Sequence, residues 1–342
     1  MDTKAPDRRN LKDADFPVGG STREKLRFAL EYAVLAPSSH NSQPWHFVLQ
    51  EDSVMVCADR TRALPVVDPY DRELVISCGA ALFNLRVALS HFDCACEILP
   101  LPYPADPDVL AEVRVRPGGY RDAGLASLFP VLRRRATNRS DYGPDDVPLD
   151  LQQKLREAAE TEGAALACIE EEGLRERLAE LIAEGDRIQY SDPGFRRELA
   201  AWMHSARHHD GMPAHSLGVS KILDMATPVV SSVIRTFDVG DGVAASHHRL
   251  VQGSPLLACL STTTDDASAW LAAGQALERV LLVIADAWFD ASFLNQPIEV
   301  LSLRPRLREL TGSEAYPQIL LRVGTGPAPR WSARRPVSEV LW

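Results

Sequence analysis

One apolar stretch, Gly79–Leu89, has the sequence GAALFNLRVAL, and a similar stretch, GQALERVLLVI, occupies Gly274–Ile284. Both lie in longer apolar segments, Leu74–Phe92 and Ala267–Phe289, whose composition predicts buried helices. Each segment precedes β-rich sequence. The small residues on such a helix let another helix approach closely. The repeat predicts two halves, each with one long apolar helix beside a small sheet. This is an α+β pattern and not the regular βαβ alternation of a Rossmann fold.

The rest of the chain divides into helix and strand patterns. Ser21 and Glu24 form a capping-box pattern at the start of a helix that Pro37 ends. Helical periodicity covers Ser21–Leu35, Ala123–Arg135, Leu149–Glu162, Leu174–Arg187 and Phe195–Met203. Strand patterns cover Trp45–Leu49, Ser53–Ala58, Cys96–Leu101, Val109–Val115, Pro255–Thr262 and Gln318–Val323. We expect a disordered segment at residues 1–20, a first half at 21–118 and a second half at 119–342, divided near Pro117–Gly119.

Composition excludes several classes of function. The 342 residues carry 37 Lys and Arg against 47 Asp and Glu, a net charge of −10 that disfavours a nucleic-acid or anionic membrane surface. The apolar stretch Val280–Phe289 is interrupted by Asp286 and is too short to span a bilayer. The six cysteines are scattered and the N-terminus lacks a secretory pattern, so we expect a reducing, cytoplasmic location.

A basic cluster stands out in this acidic chain. Four guanidinium groups lie within seven residues: Arg133, Arg134, Arg135 and Arg139. The cluster fits a solvated helix end, since cations favour a helix C-terminus. It also fits a phosphate site, because arginine supplies bidentate donors and Thr137 adds a hydroxyl. A second pair, Arg334 and Arg335, lies in the irregular tail and could close the same site.

A dense polar loop, PSSHNSQPW, occupies Pro37–Trp45. Its short hydroxyl and amide side chains could act only as turn caps, or they could bind the edge of a planar polar heterocycle. Phosphate-loop, zinc-protease and nucleophile-elbow motifs are absent. We predict no metal site, because the histidines of the polar stretch lack helical partners that carry acids: His204, His208, His209 and His215. The adjacent pair His247 and His248 is also uninformative as a metal pair.

Pro37–Phe47, PSSHNSQPWHF, resembles the P-S-S-x-N-S-Q-P-W-x-F signature of the nitroreductase superfamily, whose members bind FMN. Arg135–Arg139, RATNR, is similar to that family's R-x-S-x-[RK] phosphate motif, with Thr in place of Ser. Gln296–Glu299, QPIE, resembles the P-I-E loop beside the flavin ring. Pro317–Gly324, followed by Arg334–Val337, resembles the terminal strand and phosphate-binding tail.

The order of these motifs is unusual for the family. In ordinary nitroreductases the arginine motif comes first, the P-S-S-x-N loop follows soon after, and the flavin lies between identical subunits. Here the loop comes first and the arginine motif follows about ninety residues later. The resemblance, which covers residues 21–342, therefore implies two nitroreductase-like halves fused into an intrachain pseudo-dimer. Each half would contain a small mixed or antiparallel sheet packed on long central helices, as in the Acg-type NAD(P)H nitroreductases.

The resemblance also implies site roles. The FMN phosphate would be held by Arg135, Thr137 and Arg335 or Arg334. Arg139 would lie at the N1/O2 edge of the ring, and Arg249 would lie near the ring. The ring would be lined from the first half by Pro37, Ser38, Ser39 and Asn41. The Gln296–Glu299 loop would contribute Pro297, Ile298 and the backbone N–H of Glu299, which would point towards flavin N5.

The implied activity is hydride transfer from NAD(P)H to FMN and on to a small-molecule acceptor, a quinone or nitro compound. No side-chain nucleophile is then needed, because the cofactor carries the chemistry. The alternative is a flavin-sequestering protein in which a segment at about residues 195–217 covers the ring. Neither reading involves nucleic acid or membrane, and the fusion predicts a monomer or a weak homodimer.

Overall fold

The computed structural model describes residues 11–116, 118–119, 121–203, 208–213, 227–329 and 331–342. Its helices are α1 (Thr22–Ala33), α2 (Arg72–His91), α3 (Ala123–Ser127), α4 (Phe129–Leu132), α5 (Leu149–Thr161), α6 (Glu172–Ser191), α7 (Pro193–Ala201), α8 (Thr227–Thr236), α9 (Gly240–Gln252), α10 (Ala267–Asp286), α11 (Gln296–Glu299), α12 (Arg304–Leu310) and α13 (Val337–Val340). Its strands are β1 (Trp45–Leu49), β2 (Ser53–Ala58), β3 (Cys96–Pro100), β4 (Val109–Val115), β5 (Ala165–Ile169), β6 (Leu256–Thr262), β7 (Asp290–Phe293) and β8 (Tyr316–Gly324).

The strands form two sheets with the same topology. One four-stranded sheet has the order β1-β2-β4-β3 and the other the order β5-β6-β8-β7, and every pairing is antiparallel. A long helix follows the second strand of each sheet, α2 after β2 and α10 after β6. A shorter helix precedes the first strand of each, α1 and α5. The predicted α+β fold with two repeated halves is confirmed.

The two central helices meet at the glycines of the sequence repeat. A Cβ built on Gly274 would lie 2.8 Å from the Cα of Gly79 and would overlap the carbonyl oxygen of Ile76. A Cβ on Gly79 would lie 3.0 Å from the Cα of Gly274. Only hydrogen fits between the backbones at this crossing, so the repeat residues set the distance between the halves.

The halves differ where the site lies. In the first half, residues 37–44 form a long loop between α1 and β1, whereas in the second half α5 runs into β5 through residues 162–164. The β1–β2 connection is a tight hairpin, while the β5–β6 connection contains α6, α7, α8 and α9. The first half therefore contributes a loop and the second half a helical insertion.

The C-terminal tail returns to the first half. Leu341 forms a parallel bridge with Phe47 of β1, and the N–H of Trp342 donates to the Phe47 carbonyl at 2.8 Å. The segment that carries the arginine motif lies against the second sheet, since Thr137 bridges Ala291 of β7. These crossings bring both basic segments to the boundary between the halves.

Several expectations need correction. Residues 1–10 lie outside the described part of the chain, but residues 11–20 are ordered: Phe16 stacks on Phe92 with ring centroids 4.1 Å apart, and Asp13 pairs with Arg133. The helix predicted over Ala123–Arg135 is two short helices, because Pro130 cannot donate a helical hydrogen bond. Strands β5 and β7 were not predicted.

Helices α2 and α10 are long and apolar enough to cross a membrane by length and composition, but 89% and 61% of their apolar windows are buried inside the fold. They are the paired core helices of the two halves, which explains their composition without a bilayer. All six cysteines are free thiols.

Candidate functional site

A cavity of about 550 Å³ lies where the polar loop, the arginine motif, the tail and the helical insertion meet. Residues predicted for the site line it as follows: Pro37, Ser38, Ser39, Asn41, Arg135, Thr137, Arg139, Glu299 and Arg334. Segments more than 290 residues apart thus share one wall; Arg334 Nη1 donates to Asn41 Oδ1 at 3.0 Å. The structure joins the loop and the basic segments that were singled out separately in the sequence.

The polar loop is held in an unusual backbone conformation. His40, Asn41 and Gln43 all have φ between 52° and 53°, in the left-handed region that non-glycine residues seldom adopt. Ser38 Oγ accepts from the backbone N–H of Gln43 at 2.9 Å, and Ser39 Oγ donates to Glu73 of α2. These two hydroxyls fix the loop against itself and against the central helix.

Asn41 connects three parts of the chain. Its side-chain amide donates to the carbonyls of Gly211 at 3.1 Å and Ala333 at 3.2 Å, and its oxygen accepts from Arg334. Both of its N–H donors are therefore used within the protein. Asn41 positions the tail and the 208–213 segment and also lines the cavity, and its expected place beside a ring stays a prediction.

Several guanidinium nitrogens of the cavity wall form no hydrogen bond. Arg135 is 6% exposed and donates from Nη2 to the Leu35 carbonyl, but its Nε and Nη1 are buried without a hydrogen bond. Arg139 forms no hydrogen bond or ion pair with any described residue. Arg322 of β8, which sequence reasoning gave no role, also lines the cavity and is 1% exposed.

Arg322 is held by hydrogen bonds from two of its three guanidinium nitrogens. Its Nε donates to Ser292 Oγ at 2.7 Å, its Nη2 donates to the Ser140 carbonyl at 2.8 Å, and its Nη1 is buried without a partner. Burial lowers the pKa of Arg322, but a guanidinium stays charged near neutral pH. Buried positive charge with free N–H donors is the chemistry of an anion site.

One buried carboxylate faces this basic end. Glu278 of α10 is fully buried, and its Oε1 lies 3.3 Å from Arg135 Nε. Burial raises the pKa of Glu278 to about 7, while the charge of Arg135 opposes that rise. Glu278 is therefore close to half protonated at neutral pH.

A second acidic group includes two residues of the cavity wall, Glu299 and Glu73. Glu299 accepts from Gln189 Nε2 at 2.6 Å, and burial, then the charge of Glu73, raise the pKa of Glu299 to about 8. Burial also raises the pKa of Asp68 to about 6. The guanidinium of Arg72 lies 2.9 Å from the carboxylate of Glu73 and supplies positive charge beside these acidic side chains.

The backbone of Glu299 differs from the expectation. Its N–H donates to the Asn295 carbonyl at 2.9 Å within the α11 turn, so this amide is already satisfied. Glu299 lines the cavity, and its side chain contacts Gln189, another lining residue. Ile298 is 1% exposed and packs into the core beside α6 and β8, and neither it nor Pro297 lines the cavity.

Two predicted arginines lie elsewhere. Arg249 is exposed on α9 and does not line the cavity. Arg335 turns towards the first half: its backbone N–H donates to Gln43 Oε1 at 2.7 Å, and its side chain lies 3.8 Å from Asp59. Of the tail pair, Arg334 is the arginine that reaches the cavity.

The insertion gives the cavity an apolar side. α8 contributes Val229, Val230, Val233 and Ile234, and α9 adds Val243. Val229 is 64% exposed, so this side opens to solvent. A planar apolar molecule could lie here with its polar end towards the arginines.

Two histidines of the cavity were not predicted from the sequence. His247 of α9 pairs with Asp186 of α6, with Nδ1 to Oδ2 at 2.8 Å. His40, the variable position of the loop signature, is partly buried with its Nδ1 shielded from solvent, and burial together with the charge of Arg139 lowers the pKa of His40 to about 4. His247 and Asp186 lie 61 positions apart in the sequence, and no local pattern links them.

The predicted covering segment, residues 195–217, is described at 195–203 and 208–213; positions 204–207 and 214–217, with His204 and His215, lie outside the described residues. The described part contacts the polar loop: Gln43 Nε2 donates to the His209 carbonyl at 2.8 Å, and Arg62 pairs with Asp210. Among the described residues no group of histidine, cysteine, aspartate and glutamate could hold a metal ion.

No protein-family model matches the chain. It is similar to "Putative NAD(P)H nitroreductase Rv3131" of Mycobacterium tuberculosis, with 31% identity over 309 residues that cover 89% of this chain and 86% of that protein. It is also similar to "Putative NAD(P)H nitroreductase acg" of the same organism, with 29% identity over 330 residues that cover 94% and 96%. The chain belongs to the NAD(P)H nitroreductase family of these mycobacterial proteins.

Solved structures align more loosely. The FMN-dependent nitroreductase NfnB from Mycobacterium smegmatis in complex with NADPH aligns with a TM-score of 0.39 and 16% identity, over 63% of this chain and 97% of that chain. A nitroreductase-like protein from Bacillus cereus aligns with a TM-score of 0.37 and 14% identity, over 63% and 94%. Family membership follows from the sequence relationship and not from these superpositions.

Proposed function

We propose that this chain binds one FMN in the cavity and uses it as an NAD(P)H-dependent oxidoreductase. The observation that carries the proposal is the set of guanidinium nitrogens of Arg135 and Arg322 that are buried without a hydrogen bond in residues lining the cavity. Such donors fit a phosphate, since charge-assisted hydrogen bonds to phosphate are strong. Family membership and the loop signature of Pro37–Phe47 support FMN as the source of that phosphate.

The residues present fit this group chemically. Arg135, with Thr137 and Arg334, would hold the phosphate, and Arg139 would place positive charge near the ring, where reduction adds negative charge. FMN, when bound, supplies acceptance and donation of a hydride. The chain's own contribution is to position two planar molecules and to exclude water from one side of the cavity.

We extend the proposal to the partners and the setting. The acceptor is a small molecule, a quinone or a nitro compound, and the apolar α8 side supports this class. The first half spans residues 21–118 and the second 119–342, and the shared cavity needs both halves of a single chain. We propose a cytoplasmic monomer or weak homodimer that binds neither nucleic acid nor membrane.

The proposal is tested by anaerobic spectroscopy. FMN is added to the purified protein, unbound flavin is removed, and NADPH or NADH is mixed in while absorbance near 450 nm is followed. Rapid loss of this absorbance, followed by recovery when menadione is added, is the expected result. Protein that takes up no FMN, or whose flavin no acceptor reoxidises, would refute the proposed activity.

A second function is favoured by one observation. Residues 208–213 are clamped onto the polar loop by the Gln43–His209 and Asn41–Gly211 hydrogen bonds and by the Arg62–Asp210 ion pair. A cover held this firmly would make the protein a flavin-sequestering one. Flavin that dithionite reduces but NADPH does not reduce within minutes supports sequestration.

Loosening the clamp separates the two functions. Asp210→Asn removes the ion pair with Arg62, whereas Asp241→Asn removes an exposed pair with Arg187 and is the matched control. If sequestration holds, only Asp210→Asn accelerates bleaching by NADPH. Equal, fast bleaching of the parent and both variants supports the oxidoreductase.

A further inference from the structure

The pair of His247 and Asp186 lies on the cavity wall and has no part in cofactor binding as proposed. His247 Nδ1 lies 2.8 Å from Oδ2 and 3.0 Å from Oδ1 of Asp186, whose side chain is 1% exposed. The side-chain nitrogen of Gln296 donates to Oδ1 of the same carboxylate at 3.2 Å and lies 3.0 Å from His247 Nδ1, while the side-chain oxygen of Gln296 is buried without a partner. The side chain of His247 is 27% exposed.

The carboxylate fixes which ring nitrogen is free. Because Asp186 accepts a hydrogen bond, Nδ1 of His247 carries a proton in both charge states. Nε2 forms no hydrogen bond with any described residue, so it accepts a hydrogen bond when the ring is neutral and donates one when the ring is protonated. This is the arrangement of a general acid oriented by a carboxylate.

The surroundings of His247 suit an apolar acceptor. Val243 of the same helix and the α8 valines line the cavity beside it. The groups that face the pair are Asp186 and Tyr190 of α6, and Gln296 and Glu299 of α11. Burial and Asp186 raise the pKa of Tyr190 well above its usual range, so its hydroxyl stays protonated. Burial raises the pKa of Glu299 to about 8, so this carboxyl of the cavity wall titrates near neutral pH.

We propose that His247, held by Asp186, donates a proton to the oxygen of the electron acceptor reduced in this cavity; this inference rests on the proposed oxidoreductase function. Reduction of a quinone to a hydroquinone takes a hydride, which NAD(P)H supplies by way of the cofactor, and one proton. The N–H bond at Nε2 breaks, the O–H bond of the product forms, and His247 becomes neutral. Solvent returns the proton through the exposed part of the ring.

The first test needs no activity. When the ring of His247 is neutral, its Nε2 accepts a hydrogen bond from the hydroxyl of a bound product analogue, so 2-naphthol binding to cofactor-free protein probes Nε2. His247→Asn retains an N–H for Asp186 and lacks an acceptor at Nε2. Calorimetry should show about tenfold weaker binding to this variant, the loss of one hydrogen bond. His248→Asn, the neighbour that pairs with Glu176 at 3.4 Å, is the matched control and should bind like the parent.

The second test follows reoxidation of the NADPH-reduced protein by menadione in a stopped-flow instrument. His247→Asn should slow this half-reaction by about 100-fold and remove its dependence on an acidic group, since general acids contribute ~10²–10⁴-fold. Reduction by NADPH and all rates of His248→Asn should match the parent. The pH dependence of the reoxidation rate is also measured for Glu299→Gln, and its difference from the parent is the contribution of Glu299. Asp186→Asn, which alters the tautomer, should slow reoxidation to a smaller extent.

The outcomes separate the two proposals. Parent protein that menadione does not reoxidise overturns the proposed function and this inference with it. Parent protein that turns over while both His247→Asn and Asp186→Asn keep its reoxidation rate and 2-naphthol affinity overturns the inference alone. Should His247→Asn fail to fold, Asp186→Asn carries the same comparison.

Discussion

The guanidinium of Arg135 and the carboxyl of Glu278 face each other inside the protein, with Nε and Oε1 3.3 Å apart and both side chains almost fully buried. Burial raises the pKa of Glu278 to about 7. Below that pH the protonated carboxyl leaves the positive charge of Arg135 available to an anion. Above it, the ionised carboxylate both pairs with Arg135 and repels a phosphate.

We therefore expect FMN affinity to depend on the ionisation of Glu278. At pH 8.5 the parent should bind FMN about tenfold more weakly than Glu278→Gln, a difference of ~1.4 kcal/mol, and at pH 5.5 the two should be equal. Comparing the two proteins at each pH cancels the ionisation of the phosphate itself, whose second pKa is about 6. Flavin fluorescence titration measures both affinities, and equal affinities at pH 8.5 would exclude competition by Glu278.

The same carboxyl makes stability depend on pH. The folded pKa of Glu278 is raised from 4.5 to about 7, so between these values the folded state binds more protons than the unfolded state. Its contribution to stability is fully present below pH 4.5 and is lost as pH rises through 7. At ~1.4 kcal/mol per pKa unit, the loss is roughly 3 kcal/mol.

Urea unfolding at pH 5.5, 7 and 8.5 measures this dependence. The free energy of unfolding of the parent should fall across the series, and that of Glu278→Gln should fall less. Glu299, with its pKa raised to about 8, contributes a further loss in the same direction at higher pH. A parent that becomes more stable from pH 5.5 to 8.5 would contradict both assignments.

The contact of the central helices can be tested at one glycine. Gly274→Ala places a methyl group against the backbone of Ile76 and Gly79 and should lower the free energy of unfolding by about 3 kcal/mol. Gly242→Ala is the matched control, because no atom lies within 4 Å of its Cβ position in α9. This control should be neutral or more stable by up to ~1 kcal/mol. Similar stabilities for the two variants would mean that the helices are not in close contact.

The role of Arg139 is tested by comparing FMN with riboflavin, which lacks the phosphate. If Arg139 lies beside the ring, Arg139→Ala should weaken both ligands by about tenfold, the loss of one charged hydrogen bond. Its stability should change little, because no described residue pairs with Arg139. Arg134→Ala, a neighbour whose side chain packs over Trp288 instead, should bind both ligands like the parent. If the variant binds FMN more weakly but binds riboflavin like the parent, Arg139 contacts the phosphate and not the ring.

Much of the fold could be predicted from local sequence. The glycine repeat predicted two halves, each with one long apolar helix, and the capping box of Ser21 and Glu24 is formed as expected. β5 was not predicted because its five residues alternate weakly, with Ala165 and Ala167 exposed and Leu166 and Ile169 buried.

The site could be predicted only in part. The polar loop Pro37–Trp45 and the arginine motif Arg135–Arg139 could each be recognised from their residue types and spacing. The pairings of Arg135 with Glu278 and of His247 with Asp186 join distant helices, and no local pattern encodes such contacts. Arg322 lies in an otherwise apolar strand pattern, and the sequence alone does not predict that it is buried beside Ser292.

The central claim is that a single chain builds one complete FMN site from its two halves. Titration of cofactor-free protein with FMN, followed by absorbance and analytical ultracentrifugation, tests this claim most directly. The account predicts saturation at one FMN per chain, whether or not chains associate, and weaker binding in both Asn41→Ala and Arg139→Ala. No uptake of FMN, or saturation at one FMN per two chains, would contradict it.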